Sequence, residues 1–145
     1  MAESILNHTA GSTFHAMSGG LAPARSVDPM AMELLDRAGI RRDFCFTKPA
    51  EGFRGDSFIA LDLVISCLDL VEEGYGRGWP GNPTLLHWRI PDPMTHEGRD
   101  SGRRNQFRSA FASLQRRIQL IVALPLNKLS AQSGAAPADL GERTA

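Results

Sequence analysis

The stretch ALDLVISCLD (residues 60–69) constrains this chain's fold more than any other part of it. A strand with one solvated face alternates apolar and polar residues, whereas this β-branched core does not alternate. A continuous apolar run bounded by polar residues suits a strand buried on both faces, as in parallel sheets covered by helices. A second run, TLLHWRI (residues 84–90), reads as another strand, and Pro91 and Pro93 prevent its continuation because proline cannot donate to a ladder.

The segments around these runs read as helices. In SVDPMAMELLDRAGI, Asp28 suits the N-cap, Pro29 the first helical position and Gly39 the exit. Met30, Leu34, Leu35 and Ala38 supply its apolar stripe. Farther on, Phe107, Phe111, Leu114, Ile118, Ile121 and Val122 recur at helical spacing, and Pro125 closes that element. At the start, Ala2, Ile5 and Leu6 form one stripe of a helix that Gly11 and Ser12 end. TFHAMSGG alternates Phe14 and Ala16 against His15 and Met17, which predicts a short strand. The order helix, strand, helix, strand, strand, helix argues for an α/β protein with a parallel sheet flanked by helices. Ligands in such sheets sit at the carboxyl ends of strands. A dinucleotide-binding reading needs G-x-G-x-x-G after a strand, and the sequence has none.

Composition narrows the function classes. Sixteen basic residues balance sixteen acidic ones, so no net field draws the chain to nucleic acid or to an anionic membrane. The pairs Arg103-Arg104 and Arg116-Arg117 read as the solvated face of a helix. No apolar run reaches spanning length. The amino terminus carries Glu3 where a secretory signal has a basic region. Cys45 and Cys67 make neither a disulfide framework nor a metal quartet. These features predict a cytoplasmic domain over residues 1–129, with a small-residue, polar and disordered tail over 130–145.

Five stretches carry a family resemblance: MAESILNH, SGGLAPARSVDPMAMELLDRAGI, LDLVISCLD, WPGNPTLLHWRIPDP and FRSAFASLQRRIQLIVALPLNKL. In order and spacing they resemble the arsenate reductases of the low-molecular-weight tyrosine phosphatase-like family, from Met1 to about Leu129. The resemblance implies a four-stranded parallel sheet. It also implies a first strand and a C-x5-R-S loop directly ahead of the helix that begins here at Met1, so the first central strand, the nucleophilic cysteine and the clamping arginine are expected to be missing from these residues. Such a loop aims backbone N–H groups and the helix dipole at an oxyanion and lowers a thiol pKa, and the arginine grips the oxyanion bidentately. Neither Cys45 nor Cys67 is followed by arginine at that spacing.

The same resemblance makes Asp92, in RIPDP, the general acid that protonates the leaving oxygen; read alone, the residue equally starts an Asp-Pro turn. The implied ligand is an arsenate or phosphate oxyanion. No bound cofactor is expected, only a thiol reductant: thioredoxin, glutaredoxin with glutathione, or mycothiol. Thioredoxin-coupled members carry two relay cysteines where Leu68 and Gly76 stand, and Cys67 falls one residue early, which favours a buried core thiol. A phosphatase would usually carry D-P-Y where this chain has Asp92-Pro93-Met94. The functions in play are therefore an arsenate reductase completed by upstream residues, a phosphatase, and a non-catalytic binding protein on the same scaffold. Lesser candidates are a His87–Asp92–His96 metal triad, Asp69 at a strand end as a site-shaping group or a cap, and Trp79 and Trp88 packing beside the site. His8 and His15 suggest nothing specific.

Overall fold

A computed structural model describes residues 1–43, 45–55, 58–68, 77–95 and 100–125, and the backbone of 138–139. The main elements are α1 (Ala2–Ala10), α2 (Pro29–Arg37), β1 (Leu63–Ser66), β2 (Thr84–His87), α3 (Asp100–Ala123) and β3 (Ala138–Asp139). They fall into two compact units. One comprises Met1–Gly52 with Pro93–Ala123, the other Phe53–Asp92 with Leu124–Ala145.

The first unit is helical, and its punctuation follows the sequence. Asp28 Oδ1 accepts from the Met30 N–H at 2.8 Å, and Pro29 opens α2. At the other end Gly39 adopts φ 68°, a left-handed exit that lets its N–H reach the Asp36 carbonyl at 3.0 Å. The Ile40 N–H then reaches the Leu35 carbonyl at 2.9 Å, and the Ile40 side chain is buried. The buried residues of α2 are Ala31 and Leu35, while Ala38 is exposed. That corrects the predicted stripe: Ala38 caps the helix, so its direction is set by the turn.

α3 packs against both α1 and α2. It buries Phe107, Phe111, Leu114, Ile118 and Ile121 as the spacing predicts, with Ala110 added. The basic pairs are not simply a solvated face. Arg103 forms an ion pair with Asp28 at the start of α2, and Nη1 of Arg117 is buried. A long arginine can bury its stem and still reach a partner.

The strand predicted over TFHAMSGG does not form. Residues 14–19 carry no ladder, and the only pairing nearby is an isolated parallel bridge between Gly20 and Pro49. Alternation there reflects an extended chain tied down by a side chain. The Asn7 amide donates to the Ala16 carbonyl at 2.9 Å, and its oxygen accepts from the Ala16 N–H at 2.8 Å. One side chain on α1 thus satisfies the backbone groups that a neighbouring strand would otherwise take.

The second unit holds the sheet. Its three strands are parallel in the order β1-β2-β3, with Leu63 opposite Thr84, Ser66 opposite His87, and His87 opposite Asp139. β2 lies in the middle and is the more buried, with Thr84, Leu86 and His87 all inaccessible. β1 was expected to be covered on both faces, yet only Ser66 is buried and Leu63, Val64 and Ile65 are half-exposed. Its place as the outer strand of the described sheet is the reason. Apart from β3, the tail over 130–145 lies outside the described residues.

The turn into β2 is tight. Gly81 sits at φ 87°, and a Cβ there would stand 2.7 Å from the Ala60 Cβ and 2.8 Å from the Leu61 nitrogen. Only glycine admits that approach. Beside it, the Arg54 guanidinium lies 4.6 Å from the Trp79 ring centre, and Phe53 meets Phe58 edge to face at 5.4 Å.

Candidate functional site

Asp92 is positioned by β2. The Trp88 N–H continues the ladder to the Ser66 carbonyl at 2.7 Å, Trp88 and Ile90 are buried, and the chain then surfaces at Pro91. Asp92 is exposed at the carboxyl end of that strand, where parallel sheets place ligand groups. Pro93 opens a single 3₁₀ turn, Pro93–Thr95, in the helical unit. Within that unit Arg103 anchors the turn, with Nη2 shared between Met94 Sδ at 3.5 Å and the Asp28 carboxylate. Asp92 therefore sits on a short loop held between prolines, open to a reactant from solvent.

The amino-terminal end of α1 carries a polar cluster. Met1 occupies the N-cap position without a side-chain cap, and Glu3 stands in the first turn. The Glu3 carboxylate accepts from Lys48 Nζ at 2.9 and 3.2 Å and from the Ser18 hydroxyl at 2.5 Å. Lys48 is 16% and Glu3 10% exposed at their side chains, so the pair is largely removed from water. Lys48 Nζ also lies 4.1 Å from the Phe46 ring centre. A compensated Glu3 leaves the positive end of the helix dipole available to an anion.

Beside this cluster is a cleft of about 230 Å³ lined by Glu3, Ser4, Asn7, His8, Arg41 and Asp43. Arg41 and Asp43 are ion-paired with each other. The Ser4 hydroxyl donates to Cys45 Sγ at 3.8 Å, which places this half-buried thiol against α1. His15 is exposed on the segment that follows α1.

The remaining candidates separate. Cys67 is half-buried just past β1, so it is not the core thiol expected; it has left the strand before the chain is fully covered. Leu68 is 42% exposed. His87 is buried in β2, with Nδ1 lacking a hydrogen-bond partner. Among the described residues no group of His, Cys, Asp or Glu is arranged to hold a metal ion. Asp69, Gly76 and His96 lie outside the described residues. Trp88 is 1% exposed and belongs to the core, whereas Trp79 packs on Arg54 in the loop before β2.

Sequence reading missed the two ion pairs that organise the helical unit. Lys48 and Glu3 are 45 residues apart, and Arg103 and Asp28 are 75 apart. No local pattern marks such partners; only the folded backbone brings them together.

No family model matches the chain, and no curated protein matches it. Among solved structures it is similar to one described as an arsenate reductase in reduced state, with a TM-score of 0.59 and 21% sequence identity. The likeness covers 84% of this chain and 85% of that one. It is a likeness of fold: the chain is an α/β protein with the arsenate reductase architecture. No helix among the described residues is long and apolar enough to cross a membrane.

Proposed function

We propose that this chain is the scaffold of a thiol-dependent arsenate reductase of the low-molecular-weight phosphatase-like type. The observation that carries the reading is the fold likeness to an arsenate reductase over 84% of the chain, with Asp92 exposed at the carboxyl end of a parallel strand. In this reading the oxyanion sits at the amino-terminal end of α1, whose N–H groups carry no side-chain cap. A thiolate attacks the arsenic, and Asp92 gives its proton to the departing oxygen. The chemistry calls for the thiolate and clamping arginine of a C-x5-R-S loop, and neither Cys45 nor Cys67 begins such a run. β1 is apolar like an inner strand but outermost in the described sheet, so its free edge could take a further strand. The thiol donor is thioredoxin, glutaredoxin with glutathione, or mycothiol, and no other cofactor is needed.

Met94, 55% exposed beside Asp92, disfavours the phosphatase alternative, because that position lacks the aromatic ring on which an aryl ester would stack. The test uses the chain with a strand and C-x5-R-S segment joined ahead of α1, assayed in parallel on arsenate with each thiol donor and on an aryl phosphate. Arsenate reduction that falls about 100-fold or more in Asp92→Asn, as removal of a general acid does, is the expected result. Hydrolysis of the aryl phosphate without arsenate reduction would replace this reading with phosphatase chemistry. Inactivity on both substrates would leave the binding-protein reading.

A further inference from the structure

α3 concentrates positive charge in a chain that has no net charge. It holds five of the sixteen basic residues, and Asp100 is its only acidic one. Where α3 meets α2, Arg37, Arg104 and Arg108 line a shallow crevice together with Glu33 and the apolar Met30, Leu34 and Phe107. One carboxylate lies among all three and pairs with two of them. Glu33 takes Arg37 Nη2 at 2.5 Å on one oxygen and Arg104 Nη1 at 2.8 Å on the other. The Arg104 hydrogen bond, followed by the Arg37 and Arg108 charges, holds the Glu33 carboxyl below its ordinary value of 4.5. Arg108 is exposed and has no carboxylate partner among the described residues.

We propose that this arginine-lined α2–α3 surface docks an acidic segment of a partner protein. Three guanidiniums around a single carboxylate leave about two positive charges uncompensated, and arginine is the side chain best suited to bidentate carboxylate pairing. Glu33 already seats a carboxylate between two of them, so the geometry the partner needs is present. A protein carboxylate cluster fits better than a nucleic acid, because a neutral chain exerts no long-range pull on a polyanion and the attraction acts only at this patch.

The test follows backbone amide shifts of the full ¹⁵N-labelled chain during titration with a synthetic peptide of repeated Glu-Glu-Leu-Glu at low ionic strength. Shifts confined to α2 and the first half of α3 are expected. Arg108→Glu, which breaks no pairing in the folded chain, should weaken binding about tenfold, as reversal of an interfacial charge does. Glu33→Gln should tighten it a fewfold by removing the resident competitor. A control reversal of the exposed Arg25 and Arg89 should change nothing. Unchanged affinity in Arg108→Glu, or weaker binding by Glu33→Gln, would overturn the proposal. So would an oligodeoxynucleotide of equal charge that binds the same residues more tightly than the peptide.

Discussion

Lys48 and Glu3 show what single residues contribute. Burying an ion pair costs solvation that the attraction barely returns, but removing one partner leaves a charge stranded. Lys48→Met should therefore destabilise the chain by about 3 kcal/mol, measured by urea unfolding, while the double variant Glu3→Met, Lys48→Met recovers most of the loss. Equal losses in the two variants would contradict this. Glu33 behaves differently because it is exposed. With its folded pKa depressed, its pairing is fully present above the unfolded value and fades as pH falls through the folded one. A carbon-detected titration should place its midpoint below 4.5 and return it toward 4.5 in Arg104→Ala. Neither the Lys48–Glu3 pair nor the Arg104–Glu33 pair was legible in the sequence, since each joins residues from distant segments, whereas Arg37 and Glu33 stand at i,i+4 within α2.

At the level of elements, α2 is the part that sequence describes best. Asp28, Pro29 and Gly39 occupy the positions their types predict, because capping depends on neighbours within four residues. Asp28 does two jobs, however. Asn would still cap, so Asp28→Asn should cost only the Arg103 ion pair, about 1 kcal/mol, while Asp28→Ala loses cap and pair, about 2 kcal/mol. Two of the glycines at positive φ also separate. Nothing lies within 4 Å of a Cβ at Gly39, so Gly39→Ala should cost about 1 kcal/mol from backbone strain alone. Gly81→Ala must in addition push into the Ala60 and Leu61 backbone, and a larger loss is expected in thermal unfolding. The segment at 14–19 failed as a strand for a different reason. Period-two patterning specifies which way side chains point; pairing depends on a neighbour, and Asn7 supplied one from a helix.

For the whole molecule, the parallel sheet and its helices were legible from two continuous apolar runs and two well-punctuated helices. The order of strands was not, which is why β1 is less covered than its composition implies. The site was legible only in part. Asp92 is exposed beyond the end of a strand, its role as general acid belongs to the proposed reading, and neither Cys45 nor Cys67 begins a C-x5-R-S run. In the proposed reading these residues are a scaffold for oxyanion chemistry whose thiolate is neither Cys45 nor Cys67. The most direct measurement is steady-state arsenate reduction by the purified, mass-verified 145-residue chain beside the same chain with a strand and C-x5-R-S segment joined ahead of α1, with thiol donor in excess. No turnover from the first and clear turnover from the second is the predicted result; appreciable turnover from the 145 residues alone would contradict it.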